Sequence, residues 1–178
     1  MQRIYDRPET LQILFGIDRK LQNEHGMGFD ELFGGCLTFD RENGYFCTPK
    51  DSVIFLWTGA GGDHFVFSTK GDSLESLEHA PILFVQPMDS DHPVKKVANH
   101  LKDFIGLFVQ LKEIYVLERF SSYQSEEEFK QDYEKNYVED INEREEELSI
   151  LINALLKEVD VPPISNVFQY ITNLNNKE

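Results

Sequence analysis

The sequence predicts an α+β fold: an antiparallel sheet of about four to six strands flanked by helices, with a helical C-terminal third. Three observations carry that expectation. Short apolar runs crowd the middle of the chain with too little sequence between them for crossover helices, so neighbouring strands must pair antiparallel. Turn-forming Gly and Asn residues punctuate those runs. Beyond residue 94, apolar residues recur at three- and four-residue spacing instead of alternating.

The elements follow in order. Residues 8–22 are predicted helical, with Pro8 suited to a first helical turn and Leu11, Leu14, Phe15 and Leu21 on one face. The glycines in EHGMGFDELFGG end that helix, and 29–33 are expected to form one short helical turn. Tyr45-Phe46-Cys47 reads as a strand after an Asn43-Gly44 turn. Residues 53–57 (VIFLW) and 64–68 (HFVFS) read as a hairpin around a glycine-rich loop, and 81–86 (PILFVQ) as a further strand that tolerates Pro81 at its start. In 94–109, Val94, Val97, Ala98, Leu101, Ile105 and Phe108 share a helical face expected to cover the sheet. Residues 113–119 fit strand and helix equally. Ser125 with Glu128 forms a capping box opening a helix. A long helix is predicted over 139–158, ended by Pro162-Pro163, and a short one over 164–174.

The chain of 178 residues fits a single domain over 1–178, with an acidic helical extension from about 125. At that size roughly 70% of the unfolded surface is buried, enough for a core without disulfides or metals. Fourteen phenylalanines give that core an aromatic character. The N-terminus lacks the apolar run and small-residue cleavage site of a signal peptide, and no stretch approaches the ~20 apolar residues of a membrane span. The expected location is the cytoplasm, with Cys36 and Cys47 as free thiols.

The net charge is −15, which argues against nucleic acid and anionic membrane as partners, because both demand a basic face. It suits a basic protein partner, and it also suits plain solvation. Residues 125–148 hold eleven acids against three bases, a local balance of −8. Glu143, Glu145, Glu146 and Glu147 are the candidates for an acidic docking face. The competing reading is a solvated helix surface.

No set of reactive residues stands out. The loop TGAGGDH (58–64) lacks the Lys of a phosphate-binding loop and leads into a strand instead of a helix, so it reads as a hairpin whose glycines adopt positive φ. Asp63 and His64 are adjacent in an extended segment and face opposite ways, so they do not cooperate directly. His64 is expected half-buried and locally hydrogen-bonded. Asp89-Ser90-Asp91-His92 lacks the spacing of a metal site and reads as the cap of helix 94–109. Neither cysteine has a basic neighbour to activate it. No catalytic residue, metal ligand or cofactor is therefore assigned. Trp57, at the junction of strand and glycine loop, is expected to have Tyr45, Phe46 and Phe65 nearby on the same sheet. These aromatics are core by default, and an interface anchor if exposed.

The middle segment resembles the SUKH superfamily, the fold shared by yeast cell-wall-synthesis regulators and many bacterial immunity proteins. The residues that carry the resemblance are Thr48-Pro49, FLWTGAGGDHFVFSTKGD (55–72), APILFVQPMD (80–89) and VANHLKDFIGLF (97–108). Thr58, Gly59, Gly62, Asp63, His64 and Phe65 fit the family's glycine loop. Pro81 and Ile82 fit the following strand, and Asn99, Phe104 and Ile105 the helix after it. The resemblance implies an α+β fold and a binding role, with toxins, commonly nucleases, as partners. The expected function is thus a non-enzymatic protein-binding module of the immunity type. Its candidate contact residues are Trp57, Gly59, Gly62, Asp63, His64 and the four glutamates. The alternatives are a small hydrolase or ligand-binding enzyme using a pocket of His64, Asp63 and His100, and a regulatory scaffold.

Overall fold

The computed structural model describes residues 3–175. Five strands form one antiparallel sheet in sequence order: β1 Cys36–Asp40, β2 Ser52–Trp57, β3 His64–Ser68, β4 Ile82–Val85 and β5 Val94–Ala98. Eight α-helices are present among the described residues: α1 Glu9–His25, α2 Phe29–Leu32, α3 Leu101–Leu111, α4 Val116–Arg119, α5 Glu126–Asn136, α6 Val138–Glu143, α7 Glu145–Glu158 and α8 Val167–Asn175. The fold is α+β, with the helices concentrated after the sheet.

Antiparallel register decides which side chains share a face. Trp57 lies opposite His64 and Ile54 opposite Val66. His64 lies opposite Val85, Phe65 opposite Phe84, and Leu83 opposite Lys96. One face carries Val53, Phe55, Phe65, Phe67, Ile82, Phe84 and Val97 into the main core, which also takes in α1, α3 and α7. Phe104 of α3 is wedged among Phe33, Phe55 and Phe65, with ring centroids 4.7–5.7 Å apart. The other face holds only a small cluster of Ile54, Val66 and Val85, with Cys47, Trp57, Leu83 and Val94 packed at its margin. At the β5 edge, Asn99 donates its backbone N–H to the Tyr170 hydroxyl of α8 at 2.9 Å.

α1 ends at Gly26, which takes a left-handed conformation and returns its N–H to the Gln22 carbonyl. α5 opens as its capping residues predict: Ser125 Oγ accepts from the Glu128 N–H at 3.2 Å, and the Glu128 carboxylate reaches back to the Gln124 N–H at 2.7 Å.

Four expectations are corrected. Tyr45-Phe46-Cys47 is not a strand; the strand preceding β2 is Cys36–Asp40. After Asp40 the chain closes on itself. Asp40 accepts from the Glu42 N–H and the Asn43 amide, and the Tyr45 carbonyl accepts from the Thr48 N–H at 3.0 Å. These local bonds compete with ladder pairing. Residues 94–98 are a strand, not the start of a helix. Val94 and Val97 are spaced for a helix, yet the segment pairs with β4 through an irregular register, and the Gln86 N–H bonds the Pro93 carbonyl at 2.7 Å to close the hairpin. Asp89 therefore caps no helix; it accepts from the Asp91 and His92 N–H groups inside that hairpin. The cap of α3 is His100, whose Nδ1 accepts from the Asp103 N–H at 3.3 Å. The long helix expected over 139–158 is two helices, broken at Arg144, whose guanidinium leaves the helical line to donate to the Glu31 carbonyl.

Candidate partner-binding surface

The β2–β3 loop is built by its own backbone. The Thr58 N–H bonds the Asp63 carbonyl at 3.0 Å, and the Asp63 N–H bonds the Ala60 carbonyl at 2.8 Å. Gly59, Gly61 and Gly62 take φ of 77°, 56° and 82°, as the hairpin reading requires. Gly62 is constrained twice, because a Cβ there would lie 2.4 Å from the ring of Tyr45. The ring occupies the space that the missing side chain leaves.

His64 lies below that contact and is fully buried rather than half-buried. Its Nδ1 is 2.7 Å from the Gly62 carbonyl and its Nε2 is 2.9 Å from Thr48 Oγ1. A carbonyl only accepts, so the neutral ring carries its proton on Nδ1 and accepts at Nε2. The Thr48 hydroxyl then donates to His64 and accepts from the Tyr45 N–H at 2.8 Å. This relay clamps the 45–48 turn onto the sheet and onto the glycine loop. Burial pushes the His64 pKa down, against a smaller opposing effect of the Gly62 carbonyl. The ring is thus a structural peg: Trp57 packs over it with centroids 4.5 Å apart, and Tyr45 stacks at 6.2 Å.

The clamped turn displays apolar side chains. Phe46 is 92% exposed, Tyr45 47% and, across the glycine loop, Met88 82%. Trp57 is half-buried beside Tyr45, with centroids 6.1 Å apart. Phe65, by contrast, is fully buried in the main core and no part of this ledge.

Asp63 turns the other way, as expected. Its carboxylate faces a cleft of about 680 Å³ whose walls include Gly61, Gln86, Met88, Lys95, Tyr115 and Glu118. Gln86 bridges two groups there. Its Nε2 donates to Asp63 Oδ2 at 3.4 Å, and its Oε1 accepts from Lys95 Nζ at 2.9 Å. Lys95 also pairs with Asp89 at 2.9 Å. The His92 N–H and then Lys95 hold the Asp89 carboxyl at a pKa of about 2, while burial raises that of Asp63.

Glu143, Glu145, Glu146 and Glu147 are exposed at the α6–α7 junction and make no ion pair or side-chain hydrogen bond among the described residues. Three of them occupy the first turn of α7, where negative charge suits the helix dipole. Other acids of the same run are structurally engaged: Glu126 with Lys130, and Asp132 with Arg119 and Tyr123. The junction is not remote from the loop. Arg144 and Thr58 line one depression together with Asp30 and Glu31, so the α2 acids approach the root of the glycine loop.

The pocket of His64, Asp63 and His100 is not formed. Asp63 and His64 sit at the end of the ladder where His64, Val85 and Val94 align, whereas His100 follows the opposite end, where Ile82 aligns with Ala98. His100 lies 3.6 Å from Asp103. Among the described residues no three His, Cys, Asp or Glu side chains are grouped to hold a metal ion. Both cysteines are free, and burial with the nearby Asp30, Asp18 and Glu31 raises the Cys36 pKa, away from a reactive thiolate. No helix among the described residues is long and apolar enough to cross a membrane.

Residues not assigned to the site from the sequence complete it: Gln86, Met88, Lys95 and Glu118 in the cleft, and Thr48 as the hydroxyl of the relay. Lys95 was hidden by the helical spacing of its neighbours, and Glu118 by a segment compatible with either structure. Comparison of the chain with protein-family models, curated proteins and solved structures returns no significant match.

Proposed function

We propose that the protein is a non-enzymatic protein-binding module whose partner is a basic protein, a toxin domain of the immunity type in the first instance. The observation that carries this reading is the ledge of Tyr45 and Phe46, held outward by the Thr48–His64–Gly62 relay, with half-buried Trp57 and exposed Met88 beside it. Exposed aromatics on a rigid support are the usual anchors of an interface. The net charge of −15 and the unpaired glutamates of the α6–α7 junction add attraction toward a positive surface. A nuclease toxin has such a surface, because its active site holds phosphates. The likeness of residues 55–72, 80–89 and 97–108 to SUKH proteins supports the same reading.

The test is calorimetric titration against the product of the adjacent reading frame. Tight binding is expected, weakened by salt. Trp57→Ala is expected to cost about 2 kcal/mol or more of binding, as for a buried anchor. Reversing Glu143, Glu145, Glu146 and Glu147 to Lys is expected to slow association about 10-fold or more with little change in dissociation. Binding that is untouched by both changes refutes the proposed surface.

A further inference from the structure

The cleft behind the glycine loop has a charge imbalance. Lys95 is paired with Asp89, and Arg119 at the rim is paired with Asp132 at 3.0 Å. The carboxylates of Asp63 and Glu118 remain on the cleft wall with no ion pair among the described residues: Lys95 acts on Asp63 across Gln86 and reaches Glu118 only at its backbone carbonyl, 3.4 Å away. Asp63 is the more constrained of the two. It is only 8% exposed, its Oδ2 takes one long hydrogen bond from Gln86, and its Oδ1 accepts none. That oxygen is not sealed off, since every fully buried side-chain oxygen among the described residues has a partner; it opens onto the cleft, where an incoming donor can reach it. The surroundings are shaped for an amphiphilic cation. The Met88 thioether and the Tyr115 ring line the approach, while Gly61 leaves the entrance without a side chain.

We propose that this cleft is a receptor site for one alkylammonium or guanidinium group, which enters between Asp63 and Glu118 with its aliphatic stem against Met88 and Tyr115. Under the protein-binding reading, that group is a Lys or Arg side chain projecting from the basic partner. The inference rests on that reading only for the source of the cation. Met88 joins the cleft to the aromatic ledge, so one partner surface spans both.

The experiment titrates the full chain with N-acetyl-lysine methylamide, N-acetyl-arginine methylamide and free 1,4-diaminobutane, with amide and Asp63 carboxyl NMR shifts as the readout. The expected result is saturable shifts confined to residues 60–63, 86–89 and 115–119, with a dissociation constant on the order of 1 mM for at least one side-chain analogue. Asp63→Asn is expected to weaken that binding about 30-fold. It removes a charge that burial disfavours, so its melting temperature should not fall. Lys96→Gln, on the other face of the sheet, is expected to leave binding unchanged. Saturation by diaminobutane but by neither analogue assigns the site to a free amine rather than to the partner's side chain. Shifts that survive Asp63→Asn, shifts that calcium chloride reproduces at lower concentration, or no saturable shift overturn the proposal. Partner binding without any cation response would sink the cleft and leave the protein-binding reading standing; a cation response without partner binding would do the reverse.

Discussion

The two faces of the sheet use the same residue types for opposite ends. On the helix-covered face, Phe55, Phe65, Phe67, Phe84 and Phe104 pack against one another with almost no exposure. On the other, three aliphatic residues make a thin layer, and Tyr45, Phe46 and Trp57 remain partly in water above it. The difference lies in what covers each face. Helices α1, α3 and α7 bury one, whereas a single hydrogen-bonded turn caps the other. Aromatic residues therefore report their role here through their cover, not through their identity.

Substitutions on the two faces test this contrast. Phe104→Ala should produce the largest loss, about 3–5 kcal/mol in chemical denaturation, because it empties a site closed on all sides. Gly62→Ala should cost about 2 kcal/mol, from positive φ and from displacement of the Tyr45 ring. A cost near zero would mean that the ring is not seated as described. Thr48→Val should cost about 1 kcal/mol by leaving His64 Nε2 without its donor. Phe46→Ser should change stability by less than about 0.5 kcal/mol while weakening partner binding. If Phe46→Ser destabilised as Phe104→Ala does, the two faces would not differ in the way proposed.

Acid supplies a further probe of the thin face. The His64 pKa is lowered on folding, so the unfolded chain binds more protons below the ordinary histidine value of about 6.5. Stability is then full above that value and declines as pH falls through and below it. Melting temperature measured between pH 7 and 5 should fall less steeply in His64→Asn than in the parent chain.

Much of the fold was legible because local chemistry and tertiary context agree in it. The β2–β3 hairpin, the end of α1 and the Ser125 cap are each specified by residues in contact with one another along the chain. The misread segments are those where long-range pairing decided. Val94 and Val97 are spaced for a helix, yet β4 offers them a ladder. Arg144 breaks a continuous helical pattern for a carbonyl supplied by Glu31, more than a hundred residues earlier in the chain. Of the site, the glycine loop, Trp57 and the opposed directions of Asp63 and His64 could be read directly from the sequence. The relay through Thr48 could not, since it depends on the 45–48 turn folding back over the sheet. The cleft could not either, since it joins residues from β2–β3, β4–β5 and α4.

The outer strand β5 carries adjacent lysines, Lys95 and Lys96, and the backbone just past it is already bonded to a tyrosine of α8. Such a border discourages an incoming chain from extending the sheet. Association by main-chain addition at this edge, which would accept many sequences alike, is thereby disfavoured. Under the protein-binding proposal, recognition there falls to the side chains of the ledge and the cleft, so a change of allegiance between partners can be written in a few positions without disturbing the architecture that holds them.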